Sequence, residues 1–298
     1  MGFVLIGASM VLFVCLFVLP GDPLQTVQGE GARLDAAARA TLAARYHLDE
    51  SLPRQYGHYV ARLARGDLGE SYRLRRPVND VLGQRIANTA KLAVGALLVE
   101  VVVGAAAGAF SALARSSFVD VLVTVATTAA IGVPVFVVGL LLQDVFAVRL
   151  HLLPLQGARD GLRSLVLPAV TLGAIHSAMI ARLTRASLLD VLGSDYVRTA
   201  AAKGLPPRTV VLNHALRTSL TPILTYVGAG FGGLLGGAAI VETIFNWNGV
   251  GLALVTAIST QDNPIVIGVV TYAVVVFVTV NLVVDLACAL LDPRIALR

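Results

Sequence analysis

Apolar residues in this chain gather into long runs instead of alternating or recurring at helical spacing. Six such runs stand out: Phe3–Leu19, Asn88–Leu113, Phe118–Val148, Leu165–Leu183, Thr218–Ile240 and Ile265–Leu290. A helix rises about 1.5 Å per residue, so crossing a hydrocarbon core of about 30 Å takes about 20 residues. The first run is barely long enough, and the third is too long for one straight crossing. Gly132 and Pro134 fall inside the third run and predict a kinked or broken span there. Runs that are apolar on every face predict an all-α membrane protein with six transmembrane helices.

The polar stretches between the runs divide the chain further. Pro20 and Pro23 end the first span, and residues Asp22 to Arg85 are too polar and charged to be embedded. Within them, Leu34–Tyr46 and Tyr56–Arg65 have helical texture, interrupted by Pro53 and Gly66. With spans on both sides, this stretch reads as an extracytoplasmic segment and not as a linker between soluble domains. The expected organisation is a first transmembrane helix over 1–20, an extracytoplasmic segment over 21–87, and a five-helix core over 88–298. Arg149–Leu162 and the stretch VETIFNWNGVGLALVTAISTQDNP are expected on the same outer face. Inside the core lies a polar loop, 187–217, between the fourth and fifth spans.

That loop has its own internal plan. In GSDYVRTAAAKGLPPRTVVLNHALRTSLTP, Gly193–Pro222, Ser194 is placed to cap a helix through its hydroxyl, with Asp195 complementing the helix dipole. Alanine-rich Tyr196–Lys203 favours the helix, and Gly204 suits a C-terminus that needs positive φ. Pro206 and Pro207 forbid continuation but suit the first turn of a second helix, expected from about Arg208 to Arg217. The reading is a pair of short helices at a sharp turn, feeding the fifth span. Arg182, Arg185, Arg198, Lys203, Arg208 and Arg217 stand against only Asp190 and Asp195, so the positive-inside rule makes this loop cytoplasmic. Six spans then put both termini in the cytoplasm. Arg149, Arg159 and Arg163 run against this orientation.

Composition narrows the function classes. Of 298 residues, 56% are hydrophobic and 14% charged, and mean hydropathy is +0.79. Soluble domains carry about a quarter charged residues, so this is a polytopic membrane protein. The net charge of +5 is modest and its basic residues are not interleaved with aromatics, which argues against a nucleic-acid surface. Cys15 and Cys288 lie in apolar runs at opposite ends and read as small hydrophobes. The N-terminus has no basic region and no small-residue cleavage site, so a cleaved signal peptide is not expected. There is no P-loop, no His-Glu-x-x-His, and no nucleophile–base pair, so the chain is expected to carry no catalytic residue, cofactor or metal of its own.

The loop is where a resemblance becomes specific. YVRTAAAKGL followed by HALR is similar to the cytoplasmic coupling loop of ATP-binding-cassette importer permeases, nearest to the dipeptide, oligopeptide and nickel branch. In the family pattern Arg198 takes the Glu position, Thr199 and Ala200 the two Ala positions, and Gly204 the glycine. The ending His214-Ala215-Leu216-Arg217 replaces both the Ile and the Pro of that pattern, as the peptide branch commonly does. SLPRQYGHYVARLARGDLGESY and the terminal Asp-Pro-Arg also resemble the family. Such relatives carry more residues before the first span, so either the start lies upstream or the chain begins inside the membrane.

The resemblance implies a bacterial inner-membrane permease subunit for di- or oligopeptides, with nickel, glutathione and heme as alternatives. It implies a sister permease as the other half of a heterodimer, two cytoplasmic ATPase subunits that bind the ATP, and an extracytoplasmic substrate-binding protein. Residues matching the coupling motif are Tyr196, Arg198, Thr199, Ala200, Ala201, Lys203, Gly204, Leu205, His214, Leu216 and Arg217. Of the rival readings, an ATP-independent channel or carrier does not need a bent cytoplasmic helix pair, and an intramembrane enzyme needs paired catalytic side chains at matching depths, which the sequence does not show.

Three further features invite two readings each. Gly228, Gly232 and Gly236 recur every fourth residue and share a face of the fifth span; Gly104, Gly108 and Ala112 do the same on the second. Such faces allow backbones to approach closely, either within this subunit or, for the fifth span, against the sister subunit. Glu100 is an acid near the middle of a span, marking either the pathway or an internal hydrogen bond. His176, in the fourth span, is either a ligand or relay or a partner for a neighbouring helix.

Overall fold

A computed structural model of the chain describes residues 2–14, 50–157 and 161–291. The end of the first apolar run, Leu34–Tyr46, Arg159 and the tail from Asp292 lie outside the described residues. The described residues are helical apart from loops and one isolated antiparallel bridge, Glu70 to Pro77. In chain order the helices are α1 (Gly2–Phe13), α2 (Leu52–Ala64), α3 (Val78–Leu113), α4 (Phe118–Gly132), α5 (Val135–Leu142), α6 (Leu162–Leu192), α7 (Asp195–Ala202), α8 (Arg217–Ile244), α9 (Val250–Ser259) and α10 (Asn263–Leu291).

Four of these are long and apolar enough to cross a membrane: α3, α6, α8 from Pro222, and α10 as far as Ala287. A fifth candidate is bent. At Val133–Pro134 the backbone leaves the helical region, and α4 meets the α5 segment, extended by a π-helical stretch Gln143–Arg149, at 107°. Proline supplies no amide to the preceding turn and pushes Val133 to extended backbone. The kink expected in the third run is therefore a break. Pro168, by contrast, is accommodated inside α6.

The chain forms two units. One comprises Met1–Asn88 with Asn248–Val278. Its core joins Val78, Val81 and Leu82 of α3 to Val250, Ala253 and Ala257 of α9 and to Ile265 and Val269 of α10. Asp262, buried between α9 and α10, accepts hydrogen bonds from the Ser71 hydroxyl and, at 3.2 Å, the Tyr72 amide, which fixes the loop before α3. Phe13 packs edge-on against Tyr56 with ring centres 5.4 Å apart, so α1 is tied to α2 by aromatic contact.

The other unit, Thr89–Trp247 with Thr279–Arg298, is a bundle built around α3 and α6. A methyl group at Gly104 would stand 2.6 Å from the Ser177 carbonyl oxygen, and one at Gly173 would stand 2.7 Å from the Ala96 carbonyl oxygen. At Gly108 it would collide with the Ala181 carbonyl and Thr184. Contacts climb together along both helices, from Gly95 beside Ala169 to Gly108 beside Ala181, so α3 and α6 run parallel. The opposite direction holds for the neighbours. Asp120, at the start of α4, meets Arg185 near the end of α6, while Gly139 of α5 lies by Thr171. In α8, Gly237 lies by Leu172 and Glu242 bonds Thr89.

Of the fifth-span glycines, Gly228 is buried against Val284 of α10, which leaves 2.6 Å for a methyl group. Gly232 is half-buried, and Gly236 is exposed with nothing within 4 Å. The three do not share one environment, because the face they line turns from α10 to the outside of this chain. Gly104→Leu is expected to lower the thermal midpoint of the detergent-purified chain substantially, since overpacking costs about 1–3 kcal/mol even where side chains can yield. Gly236→Leu should leave the midpoint unchanged; a fall as large as that of Gly104→Leu would refute the packing described.

Candidate functional site

The polar loop forms a knob where α3 and α6 end. Gly193 and Ser194 separate α6 from α7. The Ser194 hydroxyl does not cap α7 as expected; it donates back to the Val191 carbonyl, and α7 begins with the Arg198 amide bonded to the Ser194 backbone carbonyl at 3.2 Å. The last turn of α6 offers a carbonyl within reach, and a hydroxyl satisfies that acceptor as readily as it caps a helix.

α7 is two-sided. Val197 and Ala200 are buried against Val191, Leu192 and Val210, which pins the helix to the end of α6. Tyr196 (45% exposed), Arg198, Thr199 and Lys203 lie on the solvent side. Arg198 and Asp195 approach to 3.7 Å there, but an exposed pair of this kind contributes little. Gly204 ends the helix with φ +80°, and a Cβ there would meet nothing within 4 Å. Space is free, so the constraint is the backbone itself, which side chains other than Gly and Asn resist.

Leu205 and Leu212 stay exposed beyond the turn. The second helix differs from expectation: a helical turn Pro207–Thr209 passes into a π-helical stretch Val210–Leu216, which continues directly into α8. Ala215 is buried with Ala112 of α3 and Leu188 of α6, so knob and bundle share a packed base. Leu216 is half-buried at the start of α8, while the side chains of Ala201, His214 and Arg217 lie outside the described set.

One turn below this base lies an ion pair that the sequence did not single out. Asp120 Oδ1 accepts from the Ser111 hydroxyl at 2.6 Å and from Arg185 Nε at 2.7 Å. Its Oδ2 accepts from Arg185 Nη2 at 2.9 Å and from the Ser116 amide at 3.0 Å. The fork of the guanidinium matches the carboxylate, and the two remaining donors complete it. The only hint in the sequence is an acid three residues after Ser117, whose hydroxyl caps α4 through the Asp120 amide.

At the other end of the bundle, Glu242 is fully buried and accepts from the Thr89 hydroxyl at 2.6 Å. The sequence reading put Glu242 in an external segment; the structure keeps it in the last turn of α8, where Thr89 supplies the donor that permits burial. Gln143 donates nearby to the carbonyls of Leu155 (3.0 Å) and Ile244 (3.3 Å). Arg149 is paired with Asp144 at 2.8 Å and Arg163 reaches the Leu152 carbonyl at 3.2 Å, so both cations have partners on their own loop.

Glu100 occupies the α3 face between Ala96 and Gly104, is 3% exposed, and its Oε2 has no hydrogen-bond partner. The internal hydrogen bond considered for it is absent at that oxygen. His176 is half-buried and lies beside Gly233 of α8. Among the described residues no group of His, Cys, Asp and Glu is placed to hold a metal ion.

Helices long and apolar enough to cross a membrane, with a short exposed helix and a sharp glycine turn where two of them end, make a polytopic membrane protein. The chain belongs to the family of binding-protein-dependent transport system inner membrane components, whose model matches residues 104–297. It is 39% identical over 287 residues, 96% of this chain and 93% of theirs, to the glutathione transport system permease proteins GsiC of Escherichia coli K12 and of Shigella flexneri serotype 5b. A chain from an inward-facing methionine ABC transporter, MetNI, shares the fold with a TM-score of 0.59 at 15% identity, covering 71% of this chain and 96% of that one. The chain is thus an ABC importer permease of the peptide and nickel family, a transport component of the bacterial inner membrane and not an enzyme.

Two outcomes are expected at these residues. Gly204→Val should speed tryptic cleavage after Lys203 while Gly204→Asn does not, because the left-handed conformation costs a β-branched residue about 1–2 kcal/mol and Asn much less. Glu100→Leu should insert normally and melt no lower than wild type, since an unpaired buried polar group costs about 1–3 kcal/mol. A lower midpoint for Glu100→Leu would show that the carboxyl contributes to the fold.

Proposed function

We propose that the chain is one of two permease subunits in an ATP-driven importer for small peptides, glutathione among them. The observation that carries this is the exposed α7 face with its Gly204 turn, seated directly on the packed ends of α3 and α6. On this reading Tyr196, Arg198, Thr199, Lys203, Gly204 and Leu205 present the surface met by a cytoplasmic ATPase subunit, and Val197 and Ala200 hold it to the bundle. ATP binding by two such subunits moves the knob, and α6 moves with it because α7 is pinned to its last turn. The chain supplies half of a pathway completed by a sister permease, and an extracytoplasmic binding protein delivers substrate. ATP is bound by the partner subunits, and this chain needs no cofactor.

In this reading the chain has six spans, with 1–20 as the first and the bent α4–α5 pair counted as one. The 21–87 segment is extracytoplasmic and both termini are cytoplasmic. Gly232 and Gly236, on the open side of α8, face the sister permease, while Gly228 serves the chain's own packing. Glu100 adjoins the pathway and becomes available when α3 and α6 shift. The glutathione reading is supported by the identity to the GsiC permeases over nearly the whole chain.

Reporters fused after Lys203 and near Gln55 should report opposite sides of the membrane; the same side for both refutes the six-span arrangement. Uptake of labelled glutathione by cells holding the complete system should be saturable and compete with tripeptides, and Glu100→Leu should reduce it at unchanged permease content. Uptake of dipeptides, nickel or heme without glutathione would move the substrate assignment to that branch.

A further inference from the structure

We propose that Asp120 and Arg185 form a transmission link that passes movement of the knob from α6 into the bent α4–α5 pair. The inference rests on the coupling role of α7 and goes beyond it, because neither residue lies in the knob. Arg185 stands two turns before the end of α6, the helix that runs without interruption to the knob. Asp120 stands in the first turn of α4, and its carboxylate is held by two guanidinium hydrogen bonds of 2.7 and 2.9 Å.

The geometry distinguishes this contact from ordinary packing. α6 is locked to α3 by a close backbone seam, so those two helices move together, whereas α4 is joined to α6 through this ion pair. A bidentate Arg–carboxylate pair fixes both distance and angle. Asp120 is only 6% exposed, and the Ser111 hydroxyl and Ser116 amide occupy its other acceptor sites, so the carboxylate has no alternative partner to exchange for Arg185. Arg185 is one-third exposed and could be solvated alone, so a pair held in this bidentate geometry needs a reason to persist. The reason given by position is leverage. α4 leads directly to the Val133–Pro134 break, so a tilt imposed at Asp120 is delivered to a segment already bent by 107°. Asp120 and Arg185 are positioning residues in this scheme; they touch no substrate.

The test uses the complete transporter in proteoliposomes, with the binding protein as purified carrying its own ligand. The measurement is the ratio of ATP hydrolysis with and without that binding protein. Arg185→Lys retains the charge but loses the fork, and Asp120→Asn loses the charge. Both are expected to assemble at wild-type yield and to reduce the ratio at least 5-fold. The exchanged pair Asp120→Arg with Arg185→Asp should recover part of it.

Three results overturn the link. They are an unchanged ratio in either single variant, failure of Arg185→Lys to assemble, and assembly losses with a normal ratio in the surviving complex; the last two identify a merely structural pair. Gly204→Val serves as the reference. If it loses stimulation while the Asp120 and Arg185 variants keep it, the knob retains its role and only the link falls. If Gly204→Val keeps stimulation, the coupling role of the knob itself fails.

Discussion

Much of the bundle depends on the absence of side chains at Gly104, Gly108 and Gly173, where α3 and α6 approach backbone to backbone. In lipid, helices gain little from hiding apolar surface from one another, so association depends on close packing and hydrogen bonds. A seam this tight sets the axial register of the two helices. Because they run parallel, their ends come out level, and Ala112 and Leu188 can close over Ala215 to make a flat seat. The knob is rigidly placed because two spans finish together beneath it. α4 and α8, running the other way, then begin at that same seat.

The two ends of the bundle are stitched by different chemistry. At the knob end the polar groups are ionic and few, gathered on Asp120. At the far end the Arg149–Asp144 pair is exposed, and the more buried polar contacts are neutral or singly charged: Gln143 to two carbonyls, Thr89 to Glu242, and the Gly157 amide to the Phe245 carbonyl at 2.9 Å. Backbone carbonyls freed where helices stop must find donors when no water is at hand. Between these ends the contacts along α6 are mainly small and apolar. Glu100 of α3 and Thr184 of α6 are exceptions, each buried with one oxygen unmatched.

Most of the long helices were legible in the sequence because a membrane asks for length and hydrophobicity, and both can be read from a single strand of text. The break at Pro134 and the positive φ at Gly204 were legible for the same reason: proline and glycine have local meaning whatever surrounds them. The coupling motif, read as a resemblance, placed the chain in its family. What escaped depended on partners distant in sequence. Nothing near Asp120 announces Arg185, which lies 65 residues on and looked like one more positive charge of the loop. Glu242 reads as a loop acid in the sequence because its donor, Thr89, lies at the start of another span. Ser194 went the other way, since a local rule favoured capping and the carbonyl of Val191 was closer. The π-helical stretch Val210–Leu216 had no signal at all, because its residues suit an α-helix equally well.

The parallel course of α3 and α6 has an electrical side. Every helix carries the equivalent of about half a negative charge at its C-terminus and half a positive one at its start. Antiparallel neighbours cancel these ends, but two parallel helices bring like ends together, and here both carbonyl ends gather under the knob. The same end receives the positive start of α4, with Asp120 in its first turn, and receives Arg182 and Arg185 from α6. The starts of α4 and α8 gather at this end too and offset the two carbonyl ends, so the helix dipoles nearly balance under the knob and the loop's excess of basic residues sets the charge there.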